Sequence, residues 1–175
     1  GASQTINVGA LVGAGVITNS GAGVGTAGTI SFGRSTSTGT TVFSGVLQDG
    51  VGAGGGVLNV TVDGTTARTQ AFLGQSTYTG VTTIATGAQL TVNTLANGGS
   101  ASGIGASSNA AGNLIFNGAA PTLIYQGNLR NGSLNLGSTS ATTDRLFTVS
   151  GSGAVLSSTA GNNNAIVWSN TGAIA

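Results

Sequence analysis

The sequence consists of short β-branched runs separated by glycine, and no single run is long or apolar enough to form a core by itself. The stretch from Leu73 to Asn93 shows the pattern. Gly74 and Gly80 interrupt it, Val81 to Ile84 is β-branched throughout, and Gln89 to Val92 alternates polar and apolar residues. Each run can bury its apolar side only against similar runs above and below it, as in proteins built from stacked coils.

The composition favours strands over helices. Only 4% of the 175 residues are charged, against about 25% in ordinary globular proteins. The charged residues are four Arg and three Asp, and Lys, Glu and Met are absent, so the strong helix formers are largely missing. In stacked parallel strands equivalent positions lie about 4.8 Å apart, where like charges repel and hydroxyl or amide groups can form ladders.

The same composition excludes several classes of function. A net charge of +1 argues against nucleic acid as a partner, and no apolar run approaches the roughly 18 residues of a membrane span. Without Cys there are no disulfides or thiol chemistry. The glycine run from Gly52 to Gly56 lacks both the regularly spaced Asp of a calcium repeat and the Lys of a phosphate loop. We therefore expect no metal and no cofactor.

Short apolar runs bounded by Gly or Asn predict fourteen strands along the chain. They are Thr5–Val8, Gly15–Thr18, Thr29–Phe32, Thr41–Leu47, Val57–Val62, Thr69–Leu73, Val81–Ala85, Gln89–Val92, Asn113–Phe116, Thr122–Tyr125, Ser133–Leu136, Arg145–Val149, Ala154–Leu156 and Ala165–Trp168. The segment from Ala96 to Ala111 is the weakest strand candidate, and we expect it to form a loop or protrusion between rungs.

A short signature recurs, consisting of an apolar residue, an aromatic residue, any residue and then Gly. Its aromatic members follow one another at spacings of 29, 44 and 9 residues, so we expect rungs of variable length. The four copies are Val42-Phe43-Ser44-Gly45, Ala71-Phe72-Leu73-Gly74, Ile115-Phe116-Asn117-Gly118 and Ile124-Tyr125-Gln126-Gly127.

Three architectures suit many short strands: an antiparallel sandwich, a barrel and a parallel β-helix. Asn-Gly pairs at Asn97, Asn117 and Asn131 are hairpin signals that keep the first two open. The very short strands, the near absence of charge and the recurrence of like residues after glycine turns favour the β-helix. With rungs of about 20 to 30 residues, the chain would form about six to eight of them.

The whole chain resembles the passenger region of bacterial autotransporters (type V secretion), in particular the part carrying the passenger-associated transport repeat. Ser76-Thr77-Tyr78-Thr79-Gly80-Val81-Thr82-Thr83-Ile84 is similar to the Tyr-Thr-Gly-x-Thr-Thr core of that repeat. The segment Thr65 to Thr69 and residue Val81 depart from the family pattern, which bears on local turn geometry. Other similar segments are Leu11–Asn19, Thr41–Gly50, Gly105–Leu114, Thr143–Thr148 and Ser169–Ala175.

The resemblance implies an all-β, right-handed parallel β-helix spanning residues 1–175 as one segment of a longer passenger. It implies an extracellular location on the bacterial surface, reached through the protein's own C-terminal β-barrel. The implied role is structural and adhesive, with host-cell molecules, extracellular matrix or neighbouring bacterial cells as partners. Alternatives are the stem of a passenger that carries an upstream enzyme or toxin, and a β-helix enzyme acting on polysaccharide.

Candidate site residues are few, and we assign none to catalysis. Asp49-Gly50 and Asp63-Gly64 are typical of turns, because Asp accepts local backbone hydrogen bonds there. Asp144-Arg145 is the adjacent charge pair, for which we expect polar contacts between rungs, a turn cap or a polar ligand. The aromatic residues are expected in the core.

Overall fold

A computed structural model describes residues 3–20, 26–33, 39–52, 55–64, 68–127, 129–130, 133–134, 140–158 and 165–175. These residues contain strands, turns and a 3-10 helix at Ala111–Asn113, but no α-helix. The strands are β1 (Gln4–Val8), β2 (Val16–Asn19), β3 (Ala27–Phe32), β4 (Gly39–Phe43), β5 (Val46–Asp49), β6 (Val57–Val62), β7 (Arg68–Phe72), β8 (Thr82–Ile84), β9 (Gln89–Val92), β10 (Leu114–Asn117), β11 (Thr122–Tyr125), β12 (Leu129–Arg130), β13 (Ser133–Leu134), β14 (Ala141–Thr143), β15 (Thr148–Ser150), β16 (Val155–Ser158) and β17 (Ile166–Trp168).

Two parallel sheets dominate the structure. Sheet A has the order β1-β3-β6-β8-β10-β15, and sheet B has the order β4-β7-β9-β11-β16. The chain passes from a strand of sheet A to a strand of sheet B and then to a third side of the stack. We call this third side, where the parallel pairs β2–β5 and β14–β17 lie, the third corner. Parallel neighbours need a long crossover, which a full circuit supplies. This all-β, parallel pairing is consistent with a β-helix.

The register gives the length of each circuit. In sheet A, Val60 pairs with Thr82, 22 positions later, whereas Ile115 pairs with Thr148, 33 positions later. Sheet A has six strands, and we call each of these strands, together with the chain that follows it up to the next, a rung. Their unequal length agrees with the expectation of insertions between strands.

The strand predictions from sequence were right where polar and apolar residues alternate clearly. Val57–Val62, Gln89–Val92 and Thr122–Tyr125 are confirmed at their predicted limits. Two predictions were wrong. Thr41–Leu47 is interrupted at 44–45, where the chain turns between two sheets, and Arg145–Val149 becomes a strand only at Thr148 because 145–147 cross the corner.

Two short strands, β12 and β14, were not predicted from the sequence. β12 forms an antiparallel pair with β13, in which Arg130 faces Ser133 across residues 131–132. That arrangement agrees with the hairpin signal at this place, although the Asn131-Gly132 turn itself lies outside the described residues. The end of the predicted strand Ser133–Leu136 also lies outside the described residues.

The core consists of apolar columns that run from rung to rung. Phe32 of sheet A contacts Phe72 of sheet B edge to face, with ring centroids 5.7 Å apart. This contact joins the inner sides of the two sheets across the interior. Register-matched residues at the ends of the sheet A strands are Val8, Phe32, Val62, Ile84, Phe116 and Val149, and those of sheet B are Phe43, Phe72, Val92 and Tyr125.

These columns explain the irregular spacing of the aromatic signature. Phe43 and Phe72 are register partners in sheet B, and Tyr125 continues the same column through Val92. Phe116 belongs to sheet A, so the spacings of 44 and 9 residues compare positions in different sheets. Only the spacing of 29 is a true repeat distance, and the sequence alone could not separate the two columns.

The glycine that ends the signature is required by close packing between rungs. A Cβ atom on Gly45 would lie 2.1 Å from the carbonyl oxygen of Gly15, and one on Gly74 would lie 1.8 Å from the carbonyl oxygen of Gly45. Real Cβ atoms do not approach backbone oxygen this closely. These glycines therefore let the backbones of successive rungs touch where the chain leaves sheet B for the third corner.

The two ends of the stack are apolar and uncovered. Ile6 and Val16 in the first rung are 63% and 62% exposed, and Leu156 in the last rung is 38% exposed. A groove of about 90 Å³ opens between β1, β2 and β3 and reaches Ile30. β1 and β15 are the edge strands of sheet A.

Candidate functional site

The third corner carries an extended polar network, and a loop without strands lies at its centre. This corner loop, residues 93–110, joins β9 to the 3-10 helix. It contains all of the predicted loop from Ala96 to Ala111 except Ala111, which begins the 3-10 helix. Ile104 and Ser102 are buried in it. Ser102 exchanges backbone hydrogen bonds with Ser76, at 3.0 and 3.2 Å, so the loop is docked against the previous rung.

Tyr78, the aromatic residue of the Tyr-Thr-Gly core, lies beneath the corner loop. Its side chain is fully buried, and its hydroxyl is 2.7 Å from Thr82 Oγ1, which donates a longer hydrogen bond to the carbonyl of Ile104. The Tyr78 carbonyl accepts a 2.7 Å bond from Ala106 N–H. Burial raises the pKa of the Tyr78 hydroxyl well above its ordinary value, and the bond to Thr82 opposes this only in part.

Gly105 allows the loop to cover this tyrosine. Its φ is +78°, in the left-handed region that glycine favours, and an added Cβ would lie 2.6 Å from the Tyr78 carbonyl oxygen and 2.7 Å from the ring. Any other residue would be strained and would also collide with Tyr78.

Arg145 lies in the following rung and binds the corner loop through its side chain. Its side chain is 1% exposed. Nη1 donates to Ser107 Oγ at 2.8 Å, Nη2 to the carbonyl oxygens of Gly105 and Ser100, and Nε to that of Ala96 at 3.1 Å. These acceptors are neutral. Burial lowers the pKa of the guanidinium, while Tyr78 and Asp144 act in the opposite direction, and an Arg side chain keeps its charge in proteins.

Asp144 binds other residues of the same loop. Its Oδ1 accepts a 2.7 Å hydrogen bond from Gly98 N–H, and its Oδ2 accepts one from Asn109 Nδ2 at 3.2 Å. In return, Asp144 N–H donates to Asn97 Oδ1 at 3.0 Å. The adjacent residues 144 and 145, which the sequence singled out together, therefore bind different residues that alternate along the corner loop.

The last rung covers the backbone of this pair. Trp168 Nε1 donates to the carbonyl of Arg145, and Asn170 Nδ2 donates to that of Asp144 at 2.7 Å. The rings of Trp168, Phe147 and Phe116 continue inward as edge-to-face contacts at 5.5 Å. The corner network thus spans four successive rungs, from Tyr78 to Trp168.

The other predicted turn residues, Asp49 and Asp63, lie at the ends of other strands. Asp49, at the end of β5, accepts hydrogen bonds from Leu58 N–H at 2.8 Å and from both the N–H and the hydroxyl of Thr79. It therefore ties its own turn to the next rung. Asp63 directly follows β6, and its N–H donates to the carbonyl of Phe32.

The chemistry available here is that of hydrogen bonding. Asp49, Asp63 and Asp144 lie on different turns, and within the described residues no group of three or more His, Cys, Asp or Glu could hold a metal. Ligand binding at Asp144 and Arg145 stays a prediction. Three of the four acceptors of the Arg145 side chain are backbone carbonyls, which carry no sequence signal, although Asn97-Gly98-Gly99 was recognisable as a turn.

Comparison with known proteins gives one informative likeness. An 84-residue stretch is 48% identical to the adhesin BmaC autotransporter of Brucella suis biovar 1 (strain 1330). The stretch is 48% of this chain but 2% of that relative, so the chain spans a very small part of the relative's length. No family model and no solved structure match the chain. Among the described residues, no helix is long and apolar enough to cross a membrane.

The likeness supports an autotransporter passenger region, and with it a place on the cell surface.

Proposed function

We propose that this chain is a structural and adhesive segment of an autotransporter passenger, folded as a right-handed parallel β-helix. The observation that carries the proposal is the 48% identity to a protein named as an autotransporter adhesin. The segment would carry the passenger-associated transport repeat around Tyr78. It would stand on the outer surface of the cell, attached through a C-terminal barrel of the longer protein.

Its mechanism would be mechanical. Each rung covers the apolar columns of its neighbour, and the uncovered Ile6 and Leu156 mark where further rungs would stack. A chain that folds rung by rung outside the membrane buries the previous rung at each step, which opposes slipping back. The finished rod holds binding regions away from the cell.

Binding by this segment would use an extended face with little charge. The outward column Thr61, Thr83, Ile115 and Thr148 of sheet A is an example, in register across four rungs. Such a face recognises host-cell molecules, extracellular matrix or neighbouring cells through shape and hydrogen bonds. Its affinity should therefore change little with salt.

The hydrogen bonding of the carboxylates supports a structural role over polysaccharide cleavage. Asp49 and Asp144 each accept backbone N–H groups within the protein. If purified protein degraded a glycan and Asp63→Ala or Asp144→Ala abolished the activity, the structural assignment would be wrong.

Surface display tests the adhesive role. The chain would be expressed on a Gram-negative cell as the passenger of an autotransporter barrel, and adhesion to host cells and matrix would be measured from low to high salt. We expect a protease-resistant surface rod and adhesion that is nearly independent of salt. Adhesion that is no greater than that of the barrel alone, or that falls steeply with salt, would contradict the proposal.

Stepwise truncation tests the stacking mechanism. Removing one rung at a time from the last strand, β17, should lower the free energy of unfolding in increments, as in a one-dimensional stack. The handedness is tested by an experimental structure of the same protein. A single transition that collapses on any deletion would favour a sandwich instead.

A further inference from the structure

The Asn97-Gly98 peptide lies on an exposed turn of the corner loop. Ser100 N–H donates to the Asn97 carbonyl at 3.1 Å, and Gly99 has φ +84°, so residues 97–100 form a tight turn. The Asn97 side chain is exposed to water. Gly98 has no side chain to shield its nitrogen from the Asn97 carboxamide.

Asp144 contacts both groups that would react in this peptide. Its Oδ1 lies 2.7 Å from Gly98 N, within the reach of a general base. Its own N–H donates to Asn97 Oδ1 at 3.0 Å, where a donor stabilises negative charge that develops on a carbonyl under attack. Asn109 Nδ2 holds the second carboxylate oxygen at 3.2 Å, which fixes the orientation of the carboxylate.

We propose that Asn97-Gly98 is a self-modification site, at which Asp144 promotes conversion of Asn97 to aspartate or isoaspartate. The Gly98 nitrogen forms a bond to Asn97 Cγ, and its proton passes to Asp144. The bond from Cγ to Nδ2 then breaks, and the proton leaves with that nitrogen as ammonia. Water hydrolyses the resulting succinimide at either carbonyl, which gives aspartate or isoaspartate without any oxidant or cofactor.

The product would weaken the docking of the corner loop. A new carboxylate at position 97 would share the turn with the Asp144 carboxylate, which Gly98 N–H holds there, and two carboxylates that share a site repel each other. An isoaspartate also adds a backbone atom to the turn that Ser100 N–H closes, directly before the Gly98 N–H that donates to Asp144. The modification would therefore act as a slow, irreversible loosening of the loop.

The chain contains an internal control for this proposal. Asn117-Gly118 has the same sequence and an exposed Asn, but Gly118 N–H donates to the carbonyl of Ser150 at 2.7 Å. A carbonyl oxygen is a far weaker base than a carboxylate. Asn97-Gly98 and Asn117-Gly118 thus differ in the group that accepts from the attacking nitrogen, which is a carboxylate in the first and a carbonyl in the second.

Peptide mass spectrometry of the intact protein, aged at neutral pH, tests the proposal. The modified peptides are heavier by the difference between water and ammonia, and isoaspartate separates from aspartate by chromatography. We expect position 97 to be modified at least about tenfold faster than position 117, and faster in the folded protein than in the same chain unfolded in urea. A folded rate at position 97 that is equal to or below either reference would overturn the proposal.

The variant Asp144→Asn separates base catalysis from simple exposure. It keeps an oxygen that can accept from Gly98 N–H but removes the base, so we expect modification at position 97 to slow by about a hundredfold, the lower end of what a positioned general base contributes. An unchanged or faster rate, with the loop still protected from hydrogen exchange, would mean that Asp144 does not promote the reaction. If the loop opens in this variant, the comparison of folded with unfolded wild-type protein decides the question.

Discussion

Arg145 donates a 2.9 Å hydrogen bond to the carbonyl oxygen of Gly105, forty positions earlier in the chain and one rung below. The same guanidinium reaches Ala96, Ser100 and Ser107, so a single side chain binds four points of the corner loop. The corner loop is therefore held in place by a residue of the next rung.

Replacing Arg145 should release the corner loop. Arg145→Met leaves buried carbonyl and hydroxyl groups without donors, and we expect it to lower the free energy of unfolding by about 3 kcal/mol, because bonds to charged donors are the stronger ones. Arg145→Lys keeps the charge but loses the forked geometry, so its effect should be intermediate. Urea denaturation gives the stability, and hydrogen exchange at residues 98–107 gives the local effect.

The matched control is Thr142→Ala, which alters an exposed side chain three positions away. It should change the free energy of unfolding by less than about 0.5 kcal/mol. Unchanged exchange in the corner loop of Arg145→Met would show that Arg145 does not hold the loop.

Gly74 should tolerate no side chain. The Cβ of Gly74→Ala would lie 1.8 Å from the Gly45 carbonyl oxygen, which is backbone and cannot rotate away. We expect a loss of more than about 3 kcal/mol, the upper end of ordinary overpacking. Gly112→Ala is the control, since its Cβ would meet nothing within 4 Å, and its effect should be within about 0.5 kcal/mol. Equal stabilities in thermal or urea unfolding would contradict the close approach of the rungs.

Tyr78 should make the fold sensitive to alkali. Its pKa is raised in the folded protein by burial, so the proton is held more tightly there than in the unfolded chain. The resulting stability is fully present below the unfolded pKa of about 10 and is lost as the pH rises above it. Urea midpoints measured from pH 8 to pH 11 should therefore fall with increasing pH.

Tyr78→Phe isolates this contribution. At neutral pH it removes the 2.7 Å hydrogen bond to Thr82, at a cost of about 1 kcal/mol, because Thr82 can still donate to the Ile104 carbonyl. The variant should lose less stability than the wild type between pH 9 and pH 11. Parallel pH profiles for the two proteins would show that ionisation of Tyr78 is not responsible.

The sequence predicted the positions of individual strands better than it predicted which strands pair. Val57–Val62 alternates polar and apolar residues, and glycine or Asp-Gly bounds it, so its limits were evident from periodicity. Ala141–Thr143 has no such alternation and was missed. The residues 145–147 are strand-like in composition, but Arg145 and Leu146 bond to the corner loop instead of to a strand, which local periodicity does not reveal.

The register and the corner network were beyond sequence reasoning for a physical reason. Pairing distances in sheet A vary from 22 to 33 residues, so no fixed period aligns Val60 with Thr82 and Ile115 with Thr148. Asp144 was noted because its charge is unusual in this chain. Its partners are the N–H of Gly98 and the amide of Asn109, which lie 46 and 35 positions away, and only the fold brings them together.

A second apolar column of sheet B, formed by Leu90, Leu123 and Leu156, offers a test of where the stack ends. Leu123 and Leu156 are register partners in adjacent rungs, but Leu123 is fully buried and Leu156 is 38% exposed. We expect Leu123→Ala to cost about 2–5 kcal/mol, as for other buried leucines, and Leu156→Ala to cost less than about 1.5 kcal/mol. Circular dichroism follows the whole stack in urea, while the single Trp168 reports on the last rung. A cost at Leu156 equal to that at Leu123, in protein shown to be monomeric by light scattering, would mean that the last rung is covered in solution.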